Sequence, residues 1–155
     1  MNDKTQETIR RAGGADLNGL AELFDLYRQF YGRASDVPLA RRFLQSRLER
    51  EEAVVFVAQS DEGTLDGFVL LYPTFSSIAA QGAWILNDLY VREQRRRCGL
   101  AERLIRQVKA FAKTTECVRI TLKTATDNHP AQSLYRRMGF VRDDKYYSYD
   151  LVASA

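Results

Sequence analysis

The sequence predicts an α/β fold in which a central mixed sheet is flanked by helices, in the order β-α-α-β-β-β-α-β-α-β. Apolar residues recur at helical spacing early in the chain, β-branched and aromatic runs follow, and helix and strand patterns then alternate. The 155 residues are enough for one domain with its own hydrophobic core. We therefore expect a single domain over residues 8–155, preceded by a disordered tail over residues 1–7.

Residues 8–12 predict a short strand, and the segment after it predicts two helices. Two glycines end the strand, and Asp16 can then cap a helix over residues 16–31. The apolar residues of this segment lie at helical spacing and define one buried face. After a loop, Pro38 opens the second helix, because proline is favoured in a first helical turn.

The pattern then changes to that of strands. Residues 53–59 and 67–72 are rich in β-branched and aromatic side chains and flank a turn-forming segment, which predicts a hairpin. Pro73 is expected to end the second strand of this hairpin. Residues 83–91 predict a third hydrophobic strand, which carries two adjacent polar residues in its interior, where a purely structural strand seldom has them.

The last third of the chain predicts alternating helix and strand. A helix follows Gly99 and runs to about residue 115, because its apolar residues lie on one face. Residues 117–123, 128–138 and 146–151 then predict a strand, a helix and a final strand. The strands on either side of the Gly99 helix are expected to be parallel, because a strand-helix-strand unit forms a right-handed crossover between parallel strands.

Composition excludes several classes of protein. Hydrophobic residues make up 45% of the chain and charged residues 28%, which excludes a disordered or low-complexity chain. The sequence has no apolar run that could span a membrane and no signal-peptide core, so we expect a cytoplasmic protein without a membrane partner. Two separated cysteines and one histidine form no zinc motif, so we expect no metal.

The net charge of +3 conceals one concentrated basic segment. Residues 92–109 hold seven basic and two acidic side chains and so carry a net charge of +5, which leaves the rest of the chain slightly acidic. An arginine run by itself is more often a solvated turn. No aromatic platform adjoins this one, so nucleic acid is not an expected partner.

Chemistry is expected at residues 89–102, where a buried strand runs through an arginine-rich turn into a helix. Such a junction directs several unpaired backbone N–H groups at one point, and the helix dipole there favours an anion. The segment therefore predicts a phosphate site. Neither GxxxxGK[ST] nor GxGxxG is present, which excludes the two common phosphate loops.

Two motifs resemble those of the GNAT family of N-acetyltransferases. Arg96-x-x-Gly99-x-Ala101 is similar to the family's pyrophosphate signature, R/Q-x-x-G-x-G/A. Asn128-x-x-Ala131-x-x-x-Tyr135-x-x-x-Gly139-Phe140 is similar to its downstream helix motif. The order of elements also resembles the family's over roughly residues 8–151, and residues 86–89 are similar to its diamine and histone acetyltransferase branch.

The resemblance implies an acetyl-CoA site along the third predicted strand and the turn after it. In such enzymes this strand bulges and splays from its parallel neighbour, so its free amides pair with the pantetheine arm. The backbone N–H of Leu89 would stabilise the oxyanion. Amides of the turn would bind the pyrophosphate, although Arg97 stands where many members have another glycine. The residues implied at the coenzyme are Leu89, Tyr90, Val91, Arg96, Arg97, Cys98, Gly99, Leu100, Ala101, Glu102, Asn128 and Tyr135.

The resemblance also implies that Tyr135 is the general acid. A thiol has a pKa of about 8.5 and a tyrosine of about 10, so a phenol beside the sulfur can protonate the departing thiolate. Asn128 would cap the helix that carries Tyr135 and contact the amide arm. The general base stays unassigned, because the diamine enzymes have a glutamate where this chain has Asn87. Either Asn87 holds a water that takes the proton, or the amine arrives neutral.

The acceptor is expected to bind against the first two helices. Asp88 matches an acidic position of the diamine enzymes, and Asp25, Tyr27 and Tyr31 could hold a cationic amine by carboxylate and π-face contacts. Each residue also has a structural interpretation. Asn87 and Asp88 could pin the strand edge, and the tyrosines fit the core face of their helix.

The predicted function is transfer of an acetyl group from acetyl-CoA to a primary amine, by direct attack in a ternary complex. A small amine, polyamine or amino acid is the favoured acceptor, and a protein lysine or N-terminal amine is the alternative. The missing glutamate also leaves open a non-catalytic acyl-CoA-binding module. The aromatic final strand could pair two copies, so we expect a homodimer or higher homo-oligomer.

Overall fold

Five strands, numbered in chain order, form one sheet in the computed structural model, which describes residues 6–154. Neighbours in the chain are neighbours in the sheet, and only the last pair, β4 with β5, is parallel. This mixed sheet, with its parallel pair around the Gly99 helix, confirms the prediction. The strands are β1 (Thr8–Arg11), β2 (Val54–Gln59), β3 (Leu65–Ser76), β4 (Gln81–Val91) and β5 (Ile120–Thr121).

The described chain divides into two compact units, a first unit ending at Lys123 and a second unit beginning at Thr124. None of the helices within residues 6–154 is long and apolar enough to cross a bilayer. Whether residues 8–155 act as one domain stays a prediction.

The helices are α1 (Leu17–Phe30), α2 (Val37–Glu49) and α3 (Leu100–Thr114) in the first unit and α4 (His129–Arg137) in the second, and 3-10 turns lie at Gly14–Asp16 and Glu93–Arg95.

The core of the first unit lies between α1, α2 and one face of β2 and β3. Alternate side chains of a strand point to the same face, so Phe68 and Leu70 of β3 meet the fully buried Leu20 and Leu44 of the two helices. On the opposite face Phe111 of α3 packs against the sheet. The remaining buried core residues on the helical face include Leu17, Ala21, Leu23, Phe24, Ala40, Val55 and Val57.

Pro73 does not end β3, contrary to the prediction. The strand continues to Ser76, and Pro73 is paired with Trp84 of β4. The pairing between β2 and β3 reaches only to Leu71, so Pro73 lies where the strand has β4 as its neighbour. Because no β2 carbonyl faces it there, the missing N–H of proline leaves the ladder intact.

The start of α1 also differs from the prediction. Asp16 precedes the helix, but its side chain makes no capping hydrogen bond to it. The carboxylate instead accepts the Gly13 N–H at 2.7 Å and pairs with Arg10 at 2.6 Å, which ties β1 to the start of the helix. The pKa of Asp16 is lowered by the Arg10 hydrogen bond, which outweighs the opposing effect of burial. Pro38 does lie in the first turn of α2, which Asp36 caps through the Leu39 N–H.

The predicted final strand over residues 146–151 is wrong. Within residues 6–154 this segment has no regular structure and no strand partner, and its tyrosines are exposed. Aromatic residues favour strands only where a neighbouring strand and a packed face receive them. The strand predicted over residues 117–123 shortens in a similar way to β5, although Val118 still donates to the Gly82 carbonyl at 2.9 Å.

The predicted disordered tail falls mostly on residues 1–5, which lie outside the described residues, as does Ala155. The described part of that tail contains Glu7, which is only 7% exposed and is bonded to Arg103. A disordered residue cannot keep such contacts. The prediction is therefore wrong at Glu7, where a buried ion pair overrides the polar character of the segment.

Candidate active site

The centre of β4 contains a β-bulge at Asn87. Leu70 of β3 is opposite Asp88, whereas the next residue, Leu71, is opposite Leu86, so Asn87 is the extra residue on β4. A bulge bends its strand and redirects the side chains beside it. The bulge predicted for this strand is therefore present, and it lies at the two polar residues that the sequence singled out.

Beyond the bulge, β4 has no strand partner on its β5 side among the described strands. The parallel pairing consists of Trp84 with Ile120 and Ile85 with Thr121, yet β4 continues to Val91. Leu89 and Tyr90 lie in this part of the strand and are partly buried, and Val91 is buried. A strand edge of this kind offers backbone N–H and C=O groups to an extended ligand.

The turn after β4 has two residues in the left-handed conformation, Arg97 at φ 62° and Gly99 at φ 76°. Gly99 then begins α3, whose first backbone bond joins the Arg103 N–H to the Gly99 carbonyl at 3.0 Å. The amides of Leu100, Ala101 and Glu102 therefore have no carbonyl partner within the helix. Left-handed residues before a helix start make a concave group of N–H donors that suits an anion.

The left-handed conformation explains the residue preferences of the turn. Gly99 adopts it without the Cβ penalty, and apart from its chain neighbours no atom of residues 6–154 lies within 4 Å of where a Cβ would stand, so there is space above it. Arg97 adopts the same conformation with a side chain, which is exposed. Its position is where the resemblance implies a glycine in many relatives, and the backbone angle gives the reason.

Arg96 uses its side chain within the protein. Its Nε donates to the Val91 carbonyl at 3.0 Å, and its guanidinium carbon lies 5.4 Å from the Tyr90 ring centre and 5.7 Å from that of Phe30. These contacts hold the turn against the end of β4. Cys98 is exposed beside it, with its Sγ 3.5 Å from the Arg96 carbonyl.

Ion pairs neutralise part of the basic charge of residues 92–109. Arg95 and Arg103 both pair with Glu7, and Arg106 pairs with Glu102 one turn earlier on α3. The predicted concentration of charge is therefore real in the sequence but partly compensated in the fold. Arg96 and Arg97 are both exposed at the left-handed turn, and Arg96 uses its guanidinium in the contacts described above.

Asp88 is buried beside the bulge, with 5% of its surface exposed. Its carboxylate accepts a hydrogen bond from Asn87 Nδ2 at 3.0 Å and another from the Tyr27 hydroxyl. Burial raises the pKa of Asp88, and these two hydrogen bonds oppose the rise without cancelling it. A carboxylate with a raised pKa is a stronger base than an exposed one.

Tyr72 belongs to the same cluster and was missed by the sequence analysis. It lies on β3 against the core, and its pKa is raised first by burial and then by the charge of Asp88, while Arg47 acts in the opposite direction. It was missed because the register of β3 against β4, which brings Tyr72 within range of the Asp88 charge, cannot be read from the spacing of residues within one strand. Tyr27 joins this cluster to Tyr31, since their rings pack edge to face at 5.0 Å.

The two predicted tyrosines differ in exposure. Tyr27 is partly buried and packs on Phe24, Phe68 and Tyr90, so its ring is part of the core while its hydroxyl reaches Asp88. Tyr31 ends α1 and is 59% exposed. Tyr27 therefore fits the structural interpretation and also bonds to Asp88 in the candidate site. Tyr31 is exposed, although its ring packs on Tyr27 and Phe30.

Asp25 is not available for an acceptor, contrary to the prediction. It is 3% exposed, and its two oxygens accept from the Asp36 N–H at 2.7 Å, from Ser35 Oγ at 2.7 Å and from Gln29 Nε2 at 2.9 Å. Burial alone would raise the pKa of Asp25, but these hydrogen bonds outweigh it and lower the pKa. The carboxylate closes the loop between α1 and α2.

Asp25→Asn is expected to lower the free energy of unfolding by about 2 kcal/mol at pH 7. The NH2 group of the new amide would face groups that donate to the Asp25 carboxylate, so hydrogen bonds would be lost. A lowered pKa means that this stabilisation is complete above the unfolded-state value of about 3.9 and is lost as pH falls through the folded-state value. Urea denaturation at pH 7 and at pH 3 measures the difference. Unchanged stability with a raised KM for the amine would instead restore Asp25 to the acceptor site.

The second unit contains the other predicted motif. Asn128 caps α4, because its Oδ1 accepts the Ala131 N–H at 3.3 Å, as predicted. Tyr135 lies on α4 and is partly buried, and its ring packs edge to face on Phe140 at 5.8 Å. Gly139, at φ 94°, ends the helix in the left-handed conformation. The motif residues thus form one helix that Asn128 caps, Gly139 ends and Tyr135 belongs to.

Among residues 6–154 no group of three or more His, Cys, Asp or Glu side chains is placed to hold a metal ion. Both cysteines are free, and Cys117 is partly buried. The features of the first unit that suit binding or catalysis include the β4 edge beyond the bulge, the left-handed turn, the Asp88 cluster and the exposed Cys98.

Residues 20–140 match the acetyltransferase (GNAT) family. The chain is 40% identical over 147 residues to the uncharacterized N-acetyltransferase YhfO of Bacillus subtilis (strain 168), covering 95% of this chain and 98% of that protein. A crystal structure of a probable acetyltransferase superimposes with a TM-score of 0.91 and 42% identity, covering 96% of this chain and 99% of that one.

The same fold occurs in the aminoglycoside N-acetyltransferase AAC(6')-Iy, solved in complex with CoA. It superimposes with a TM-score of 0.79 at 18% identity, covering 97% of this chain and 98% of that one. The family match extends over most of the chain, and YhfO is similar along nearly its whole length. The chain belongs to the GNAT family of acetyltransferases, whose members use acetyl-CoA, and it is an N-acetyltransferase.

Proposed function

We propose that this enzyme transfers the acetyl group of acetyl-CoA to a primary amine by direct attack in a ternary complex. The observation that carries the proposal is the bulged β4, open on its β5 side beyond Ile85 and followed by the left-handed turn at Arg97 and Gly99. The open strand edge suits the amide-containing arm of a long ligand, and the N–H groups of the turn that follows it suit a diphosphate.

The residues present fit such a ligand. The backbone of Leu89, Tyr90 and Val91 would pair with the pantetheine arm, and the Leu89 N–H would stabilise the oxyanion. The open space above Gly99 admits a diphosphate to the amides from Arg97 to Glu102. Arg96 would support this turn through its contacts with Tyr90 and Val91. When bound, acetyl-CoA supplies the activated acyl group, and these residues hold it.

We assign the proton acceptor to Asp88, acting through a water next to the exposed Asn87. An ammonium group cannot attack a carbonyl carbon, so one proton must leave the amine first. Asp88 is buried, has a raised pKa and is oriented by Asn87 and Tyr27, as a general base requires. The side-chain amide of Asn87 thus orients the carboxylate of Asp88. In this proposal, Asp88 takes the role of the glutamate that the diamine enzymes have at position 87.

Tyr135 is the proposed general acid. As the new C–N bond forms and the C–S bond breaks, the thiolate of CoA leaves with the electron pair and takes the phenol proton. Support for this role comes from the motif around Tyr135, from its position on the capped helix α4 and from the chemistry of the phenol. Asn128 holds the start of that helix and is proposed to contact the amide arm of the coenzyme.

The proposed acceptor is a small amine, a class that includes polyamines, amino acids and the amino sugars that the aminoglycoside enzyme of the same fold acts on. Tyr31 offers it an exposed aromatic face, and Asp88 offers a negative charge behind Tyr27. Because the Asp25 carboxylate is hydrogen-bonded to the loop after α1, Asp88 is the one of the two predicted acidic residues that can hold the amine. This favours an acceptor that presents one amine at a time to the site.

Titration of acetyl-CoA by calorimetry, followed by initial rates at varied acetyl-CoA and amine, tests the proposal. We expect binding at sub-millimolar concentrations and intersecting double-reciprocal lines, because both substrates must be bound before the acetyl group moves. Absence of binding would refute the coenzyme site. Parallel lines would refute direct attack and would favour an acyl-enzyme, for which the exposed Cys98 is the candidate nucleophile.

A further inference from the structure

Glu7 carries a buried ion-pair cluster on the N-terminal side of β1. Its carboxylate is 7% exposed and accepts Arg103 Nη1 at 3.2 Å on one oxygen, while the other oxygen pairs with Arg95. Arg103 also donates to the backbone carbonyl of Glu7. One glutamate thus binds two arginines that are far from it in sequence.

A second buried carboxylate extends this cluster. Asp66 is 6% exposed and lies 3.5 Å from Arg95 Nε. Its backbone carbonyl accepts the Arg92 N–H at 2.8 Å, and Arg92 Nε donates to the Leu65 carbonyl, also at 2.8 Å. Burial raises the pKa of Asp66, which Arg92 opposes. The turn that follows β4 is therefore bonded to β3 as well as to Glu7.

The two arginines bound by Glu7 lie on opposite sides of the left-handed turn. Arg95 comes just before Arg96, and Arg103 comes one helical turn after Gly99, whose carbonyl it binds through its own N–H at 3.0 Å. Glu7 therefore joins the entry of the turn to its exit. The amides assigned to the diphosphate lie between these two anchors.

The turn needs such support because its backbone is unfavourable without it. Arg97 holds a left-handed conformation at φ 62°, which a residue with a side chain adopts rarely. A strained conformation persists where the surrounding structure fixes it. Arg95 and Arg103 fix both ends, and the Glu7 carboxylate pairs with both of them, while Asp66 lies beside Arg95 as a second carboxylate.

We propose that Glu7 is a positioning residue for coenzyme binding, which holds the diphosphate turn in its binding conformation through Arg95 and Arg103. The residue touches neither substrate, and its effect is on the affinity for CoA. This inference rests on the proposed function, because it assumes that the turn binds the diphosphate. By linkage, CoA binding and the docking of Glu7 stabilise each other.

The test is calorimetric titration of CoA into wild type, Glu7→Gln and Asp16→Asn. Glutamine keeps the size of the side chain but removes its charge and places an amide against a guanidinium. We expect the Kd of CoA to rise on the order of tenfold in Glu7→Gln, with KM for acetyl-CoA rising equally and kcat unchanged. Asp16→Asn is the matched control, since it removes a carboxylate paired with Arg10 near the same strand. Its Kd should equal that of wild type.

The outcomes separate this inference from the proposed function. Wild-type protein that fails to bind CoA would overturn the proposed function and this inference with it. Wild type that binds, beside a folded Glu7→Gln that binds equally tightly, would overturn this inference alone. A loss of kcat at unchanged KM would also overturn it, because a positioning role for the coenzyme changes affinity.

Two further measurements cover a Glu7→Gln variant that does not fold. Asp66→Asn removes a carboxylate that faces Arg95 and Arg92 at the entry of the turn and leaves the pair of Glu7 with Arg103 in place, so we expect a smaller rise in the Kd of CoA in the same direction. In wild type, CoA is expected to slow amide hydrogen exchange at residues 7–9 and to leave Val37–Glu49 unchanged. Unchanged exchange at residues 7–9 on saturation with CoA would contradict the coupling.

Discussion

Asp88→Asn is expected to lower kcat on the order of 100-fold while the Kd of acetyl-CoA stays the same. The amide keeps an oxygen that accepts from Asn87 and Tyr27, but it cannot take a proton from the amine. The variant should also lose the acid limb of the pH profile. In wild type we expect that limb at a higher pH than an exposed carboxyl group would give, because burial raises the pKa of Asp88 and the ionised form is the active one.

Stability separates this catalytic role from a structural one. A raised folded-state pKa means that the native state binds the proton more tightly than the unfolded chain, so stability falls as pH rises from the unfolded-state pKa through the folded-state pKa, and the loss is complete above it. We therefore expect Asp88→Asn to be at least as stable as wild type at pH 8 in urea denaturation. Asp61→Asn, in the exposed turn after β2, is the control with unchanged kcat. An Asp88→Asn variant that keeps full activity and the acid limb would remove Asp88 from the mechanism.

Tyr135→Phe is expected to lower kcat by about 100-fold, with little change in the Kd of acetyl-CoA. Phenylalanine keeps the ring that packs on Phe140 and removes only the hydroxyl, so the helix should remain folded. Tyr146→Phe is the matched control in the same unit, because that tyrosine is 79% exposed and has no assigned role. Steady-state rates and calorimetry on the three proteins measure the effect.

Equal turnover in Tyr135→Phe and wild type would show that the thiolate leaves without the phenol proton. A raised Kd at unchanged kcat would instead make Tyr135 a coenzyme contact. The assignment of the acid rests on the motif and on phenol chemistry, and these two outcomes decide between the acid and a binding role.

Local patterns predicted most of the fold. The helical spacing in α1 and α3, the proline in the first turn of α2 and the glycine before α3 each act within a few residues, so the sequence alone could locate these helices. The motif spacing likewise located the turn at Gly99. The cap of α4 by Asn128 was predicted for the same reason, since a cap involves residues three apart.

The misses come from contacts that are distant in sequence or that depend on register. Glu7 meets Arg103 across most of the first unit, and a polar N-terminal segment carries no sign of such a partner. Tyr72 senses the charge of Asp88 across the pairing of β3 with β4, whose register shifts at the bulge. Asp25 was misassigned because its spacing on α1 suits a site, whereas Ser35 and Asp36 in the following loop take its oxygens. The aromatic composition of residues 146–151 predicted a strand without supplying a partner for it.

The central claim is that this chain acetylates a primary amine, and an amine panel with a thiol readout tests it most directly. Purified protein, acetyl-CoA and each amine in turn are incubated, and released CoA thiol is measured together with the acetylated amine by mass spectrometry. We predict thiol release that depends on the amine and equals the acetylated product, at least for one small primary amine. Tight binding of acetyl-CoA with no amine-dependent thiol release across small amines, amino acids and lysine peptides would contradict the account and leave an acyl-CoA-binding module.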